Sequence, residues 1–303
     1  MKLALAGIGK IALDQHLPAL EASAVWDLAA TVSRHGSIEG VEAFPRIEAM
    51  LETRPEIGAV SLCLPPVPRF EAAQAVLRAG RHLMLEKPPG ATLAEVHVLR
   101  DLAQAHGVTI FATWHSRMAL AVAAAKRWLA DRTVQEGRIT WREDLRKWHP
   151  GQDWILDAGG MGVFDPGINA LSILTEILPA RVHLKAAELD IPANRQAPIA
   201  ARLALSHNIT ADFDFRQHGP QTWDMEFQTD AGPLALRMGG NVLEIDGRPA
   251  GGEASIMGEY PALYARMAEL VRRGASDLDL SPMVLVADAF LLGRRTLVEP
   301  FDF

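Results

Sequence analysis

Up to residue 129, short apolar runs alternate with stretches whose apolar residues recur every three or four positions. The runs predict strands over residues 2–6, 26–32, 58–64, 82–85 and 108–113. The periodic stretches predict helices over 9–20, 46–53, 69–79, 93–106 and 118–129. The runs are apolar on both faces, as in Leu3-Ala4-Leu5-Ala6, which suits a parallel sheet covered by helices on either side. Gly80 reads as a C-cap, and Thr92 with Glu95 as a capping box. Pro18 disturbs the last turn of the first helix around Asp14, Gln15 and His16. From about residue 131 the rhythm changes. Strands over 134–145, 181–191, 199–206, 210–216, 222–229, 233–238 and 241–245 follow one another through short Gly, Asn or Pro turns, so their sheet should be largely antiparallel. Helices are expected over 164–178, 260–273 and 282–296. The whole predicts an α/β protein. Residues 1–117 form a doubly wound parallel domain and residues 118–303 an α+β domain with an open sheet, the last helix packing back on the first domain.

The first strand runs straight into Gly7-Ile8-Gly9-Lys10-Ile11-Ala12, a G-x-G-x-x-A turn that opens a helix. In that context the motif marks a Rossmann dinucleotide site. Gly7 makes the tight turn, Gly9 lets a diphosphate approach the backbone, and Ala12 lets helix pack on strand. Lys10 and Ile11 flank the site, and the diphosphate rests on a helix N-terminus. An ordinary strand–turn–helix with two glycines is the alternative. The second strand ends in Ser33-Arg34-His35, where an NAD-specific site usually carries an acidic residue for the ribose hydroxyl. A hydroxyl and a guanidinium suit a phosphate, so NADP is expected to be preferred, with NAD also accepted; a solvated loop is the alternative. Leu64 and Pro65 end the third strand at the ligand-binding edge of such a sheet. Glu86-Lys87-Pro88-Pro89 does the same at the next strand, and the prolines restrict how Lys87 is presented. That lysine can donate to a substrate hydroxyl and stabilise an alkoxide, or it can be half of a surface Glu–Lys pair.

A second concentration of chemistry lies over residues 148–169. Trp148, His149 and Trp154 fall within seven residues, and Gly159-Gly160-Met161-Gly162 gives a flexible lead into a helix. Asp165 and Asn169, four apart, share a face of that helix. Asp165 can equally be a cap, and the indoles can be core. Indoles beside carboxylates and amides also make a sugar site, the ring covering an apolar sugar face while polar groups take hydroxyls. His115, Glu143 and Trp223 are weaker candidates for the same pocket.

Composition narrows the partners. A net charge of −7 argues against nucleic acid or an anionic membrane. Cys63 is the single cysteine, which leaves no disulfide and fits a reducing compartment; it reads as a buried strand residue. No apolar run approaches a membrane span, and the first apolar stretch reads as a strand rather than a signal peptide. A cytoplasmic enzyme for a small molecule, with no metal cluster, is the expectation.

Three motifs stand in order: Gly7 to Ala12, Glu86-Lys87-Pro88, and Gly159-Gly160-x-Gly162-x2-Asp165-x3-Asn169. Together they resemble the Gfo/Idh/MocA oxidoreductase family over essentially the whole chain. The branch it resembles most is the aldose 1-dehydrogenases acting on L-arabinose and D-galactose. The segments carrying this are residues 9–18, Ala112-Thr113-Trp114-His115-Ser116, Trp148-His149-Pro150-Gly151-Gln152 and residues 162–171. Many family members place His where Asn169 stands, as general base; asparagine orients a hydroxyl but takes no proton. The resemblance therefore implies Lys87, Asp165 and Asn169 as the catalytic set. Either Asp165 or a lysine of depressed pKa then accepts the C1 hydroxyl proton, and the C1 hydride passes to the nicotinamide. L-arabinose is expected first and D-galactose second, as is a homodimer or homotetramer built through the C-terminal sheet. Two alternatives remain at this point: a same-fold oxidoreductase on another aldose, an inositol or a dihydrodiol, and a non-catalytic NADP-binding regulatory protein.

Overall fold

The computed structural model describes residues 1–253 and 258–303. In chain order, β1 (Lys2–Ala6) leads through a wide π-helical turn (Ala12–His16) into α1 (Leu17–Glu21). Then come β2 (Asp27–Val32), β3 (Glu42–Phe44), α2 (Ile47–Thr53), β4 (Ala59–Leu62), α3 (Pro66–Arg78), β5 (His82–Glu86), α4 (Leu93–Ala105) and β6 (Ile110–Thr113). The second half holds α5 (Val122–Leu129), β7 (Val134–Arg142), α6 (Leu145–Trp148), α7 (Phe164–Ile177), β8 (Leu184–Pro192), β9 (Ala200–Leu205), β10 (Ile209–Asp214), β11 (Thr222–Thr229), β12 (Gly232–Arg237), β13 (Val242–Ile245) and β14 (Arg248–Gly252). It closes with α8 (Glu259–Arg273), α9 (Ser281–Leu292) and β15 (Arg294–Val298). Two compact units result. One is Met1–His115 with Tyr260–Asp279; the other is Ser116–Glu259 with Leu280–Phe303. The segment that rejoins the first unit is thus α8 and its continuation, whereas the last helix, α9, stays with the second.

The first unit contains a six-stranded sheet in the order β3-β2-β1-β4-β5-β6, parallel throughout. Strand order reverses direction between β1 and β4, which opens the ligand crevice at the carboxyl ends of those strands. The strands are apolar because both faces are covered. Ala4, Val60, Leu62, Leu83 and Leu85 are fully buried and pack with Met50, Val76, Leu77 and Leu99 from the helices. The capping box on α4 is present: Thr92 Oγ1 accepts from Glu95 N–H at 3.2 Å, and Glu95 Oε2 from Thr92 N–H at 3.3 Å. The expected first helix is different. Pro18 has no N–H, and the turn before it widens so that Leu17 N–H donates to the Ala12 carbonyl. His16 thereby points into the interior with no exposed surface. Cys63 lies one residue beyond β4 and is only half-buried, not within the strand as expected.

The second unit is built on a nine-stranded sheet ordered β14-β13-β12-β11-β7-β10-β9-β8-β15. Its pairings are antiparallel except β7 with β10 and β8 with β15. Side chains alternate along each strand. Ile139, Trp141, Ala211, Phe213, Met225, Phe227, Leu234 and Leu236 are buried, and α5, α7 and α9 pack against this sheet. The alternate positions carry ion pairs: Arg142 with Asp212, Arg202 with Glu188 and Asp190, and Arg237 with Asp224, Glu226 and Glu244. The helix expected over 282–296 stops at Leu292, and its predicted end is instead the edge strand β15. Among the described residues, no helix is long and apolar enough to cross a membrane.

Candidate active site

The loops at the carboxyl ends of the first unit's strands are shaped by close approaches. Gly7 has φ +91°, and a Cβ there would meet the Cys63 carbonyl carbon and Leu64 nitrogen at 2.9 Å, so only glycine fits where β1 meets the end of β4. Gly9 is different: a Cβ would meet nothing within 4 Å. Open space over that backbone, at the turn leading into a helix, is what a dinucleotide diphosphate needs, and the residues present fit one. Lys10 pairs with Asp14 one turn on, and Ile11 is exposed. At the end of β2, the Ser33 hydroxyl oxygen accepts from His35 N–H at 3.2 Å and Gly36 N–H at 3.1 Å, which leaves its proton to donate. Ser33, Arg34, His35 and Phe44 line an open cleft of about 490 Å³. Arg34 and His35 are exposed.

Lys87, half-buried, follows the last residue of β5. The Lys87–Pro88 peptide bond is cis. Beneath it lies a buried polar network that sequence reading did not anticipate. Glu86 Oε1 accepts from Tyr260 Oη at 3.0 Å and faces His16 Nε2 at 2.9 Å, while His16 Nδ1 faces Tyr264 Oη at 2.8 Å. Glu86 Oε2 accepts from Lys87 N–H at 3.1 Å. His115 stacks on Tyr260 with ring centres 5.8 Å apart. Burial works against charge on Glu86, yet the His16 hydrogen bond and charge, with the His115 and Lys87 charges, pull its carboxyl down to about 2. Burial likewise opposes charge on His16. There the Cys63 thiol, the Tyr264 hydroxyl and the Glu86 carboxylate outweigh it and hold the imidazole well above its usual value.

The signs of these two shifts differ. A depressed carboxyl pKa stabilises the fold above the ordinary 4.5 and loses that contribution as pH falls through about 2. A raised imidazole pKa stabilises below the ordinary 6.5, a contribution lost as pH rises through the folded value. Glu86→Gln is therefore expected to flatten the fall in stability between about pH 4.5 and pH 2. Urea midpoints across that range measure it; an unchanged slope would show that Glu86 does not titrate in this way.

In the second unit, the chain after β7 and the start of α7 converge. Glu143 (4% exposed) and Asp165 (7%) are the buried carboxylates there. Trp223 Nε1 donates to Glu143 Oε2 at 3.0 Å. His149 Nε2 lies 3.4 Å from Asp165 Oδ2 and 4.0 Å from Glu143 Oε1. Trp223 stacks on Trp141 with centres 5.8 Å apart, and Trp148 tilts against Trp223 at 5.4 Å. The N-cap of α7 is Val163, so Asp165 sits inside the first turn and is not the cap. Gly162 is packed rather than flexible: at φ +54° its Cβ would fall 2.1 Å from the Pro198 carbonyl oxygen, the oxygen that accepts Val163 N–H. That approach fixes where α7 begins and hence where Asp165 and half-buried Asn169 project.

The structure thus gathers Glu143, Trp148, His149, Asp165 and Trp223 into one cluster and adds Trp141, which the sequence offered only as a strand residue. Trp154 lies in a separate 3₁₀ turn, 37% exposed, and none of the ring contacts among the described residues includes it. Lys87 and His115 belong to the first unit. Among the described residues there is no group of three His, Cys, Asp or Glu able to hold a metal.

Comparison with known proteins adds identity to this geometry. Residues 1–113 match the Gfo/Idh/MocA family, described as an oxidoreductase family with an NAD-binding Rossmann fold. Galactose 1-dehydrogenase of Pseudomonas fluorescens is 42% identical over 308 aligned residues, covering 99% of this chain and 98% of that one. The crystal structure of a D-galactose-1-dehydrogenase from Rhizobium etli superposes with a TM-score of 0.95 at 52% identity, over 99% of this chain and 97% of that chain. A 3-ketoreductase from Actinomadura kijaniata in complex with NADP shares the fold at 19% identity, with a TM-score of 0.79 over 100% of this chain and 99% of its own.

Proposed function

Since the chain belongs to the Gfo/Idh/MocA oxidoreductase family, we propose that it is a cytoplasmic NAD(P)-dependent aldose 1-dehydrogenase. It oxidises the anomeric carbon of D-galactose, and of L-arabinose, to the aldonolactone. Full-length identity to a galactose 1-dehydrogenase carries this reading. Both high-identity relatives are named for galactose, so galactose replaces arabinose as the first substrate. The two sugars share ring stereochemistry from C1 to C4 and differ by a hydroxymethyl group, which a permissive pocket discriminates weakly.

A nicotinamide dinucleotide supplies the hydride acceptor when bound. Gly7, Gly9 and the amides opening the next turn take its diphosphate, with Lys10 and Ile11 at the rim and Leu64, Pro65 and Glu86 along the strand ends. Ser33 and Arg34 take a ribose phosphate, hence NADP before NAD. Asp165 accepts the proton of the C1 hydroxyl. Lys87 is the donor that stabilises the alkoxide as charge develops, and Asn169 orients a sugar hydroxyl. Glu143 and His149 read ring hydroxyls, and the indoles of Trp148 and Trp223 cover the apolar sugar face. The charged sheet face, where Arg alternates with Asp and Glu, suits pairing with a second copy in a homodimer or homotetramer.

The test is formation of reduced nicotinamide from a panel of aldoses with each cofactor. D-galactose and L-arabinose should both turn over, within about a hundredfold of one another in kcat/KM, with a lower KM for NADP than for NAD. Turnover of neither sugar would end this reading, and a strong NAD preference would remove the role of Arg34.

A further inference from the structure

The peptide group entering Lys87 is held at both of its polar atoms by buried, charged side chains. Its N–H donates to Glu86 Oε2 at 3.1 Å. Its carbonyl, that of Glu86, accepts from Arg69 Nη1, and the same nitrogen reaches past the lysine to the Pro88 carbonyl. The other edge of the guanidinium donates to the Leu64 carbonyl, through Nε at 2.9 Å and through Nη2. Arg69 therefore ties the end of β4, beside the dinucleotide crevice, to the two residues flanking Lys87. Glu86 is fixed in turn by Tyr260 at 3.0 Å and His16 at 2.9 Å.

These groups are deeply buried: Arg69 is 2% exposed, Glu86 4% and His16 0%. Taking charges out of water is costly before pairing, and apolar residues of similar volume often serve stability as well or better. What a fully satisfied polar network adds is one defined geometry. This one converges on a single peptide group, at the edge of a parallel sheet where ligands bind. A reacting group displaced by about 1 Å loses about a hundredfold in rate, so a lysine that must meet one substrate oxygen gains from such a fixture.

We propose that Arg69 and Glu86 are positioning residues that form a cradle for the Lys87 backbone and so set where its ammonium is delivered. The proposal rests on the role given to Lys87 above. Arg69 touches no reacting atom; it acts through the lysine.

The chain has six lysines, at 2, 10, 87, 126, 147 and 185, so protein carrying isotope-labelled lysine gives a backbone amide spectrum simple enough to follow Lys87 alone. Lys87→Met, by losing one signal, identifies it. Arg69→Gln and Glu86→Gln are expected to shift the Lys87 amide and speed its hydrogen exchange about tenfold or more, with the other five lysine amides in place. In kinetics each variant should lower kcat about tenfold or more and leave KM for D-galactose within about twofold. In a Lys87→Met background the same changes should alter the residual rate by less than about twofold. Tyr260→Phe, which removes the hydroxyl that donates to Glu86, is the milder variant should the others fail to fold, and it should give the same pattern at smaller size. An unmoved Lys87 amide, or equal losses with and without the lysine, would overturn the cradle. The amide signal needs no turnover. A wild type that oxidises no aldose would therefore fault the proposed reaction and leave the cradle to be judged by its own readout.

Discussion

Replacing Lys87 by methionine is expected to lower kcat on D-galactose by about a hundredfold or more, with KM for the cofactor little changed. Methionine keeps most of the length and the apolar stem and removes only the ammonium. The backbone that carries it is held independently, by Glu86 and Arg69, so the variant loses a charge without losing its place. In the mechanism proposed above, the missing group is one whose bond strengthens as the C1 oxygen becomes negative, and such a bond contributes to kcat rather than to ground-state affinity. Lys87→Arg, with a larger planar head on the same fixed backbone, should recover only part of the rate. A methionine variant within about threefold of wild type would take Lys87 out of the chemistry.

Asp165→Asn should be as costly, about a hundredfold or more in kcat. The change is isosteric, and thermal stability should hold or rise, because a buried carboxylate is exchanged for a neutral amide. His149, 3.4 Å from Asp165 Oδ2, keeps a partner in the amide oxygen. The pH profile separates the two candidate bases. With Asp165 as base, the acid limb of the kcat profile disappears in Asp165→Asn and persists in Lys87→Met; with Lys87 as base the pattern reverses. Near-full turnover in Asp165→Asn would remove the carboxylate from the proton transfer.

Much of the first unit could be read from the chain because its signals are local. Apolar runs bounded by Gly and Pro located β1, β2, β4, β5 and β6, and Thr92 with Glu95 announced α4. The β3 strand was missed because three residues, Glu42-Ala43-Phe44, carry no pattern. In the second unit β14 was missed because Arg248-Pro-Ala-Gly-Gly lacks apolar alternation. The end of α9 was misread because Gly293, a helix stop, was passed over. The Arg-Arg-Thr-Leu-Val stretch beyond it pairs with β8, a contact more than a hundred residues away in sequence. The site followed the same rule. Motif residues such as Gly7, Lys87 and Asp165 were legible by position. The network under Lys87 was not, since His16 meets Tyr264 across 248 residues and Tyr260 meets Glu86 across 174. In the sequence Arg69 is only the first residue of the helix expected over 69–79. Only the fold reveals that its acceptors are the carbonyls on either side of the lysine.

The central claim is that hydrogen leaves the anomeric carbon of a galactose-type sugar for a nicotinamide. The most direct measurement is a single-turnover reaction with D-galactose carrying deuterium at C1, followed by mass analysis of the recovered cofactor. Reduced cofactor containing the deuterium, formed in step with galactonolactone, is the predicted result. Reduced cofactor without the label, or none formed at all, would contradict it.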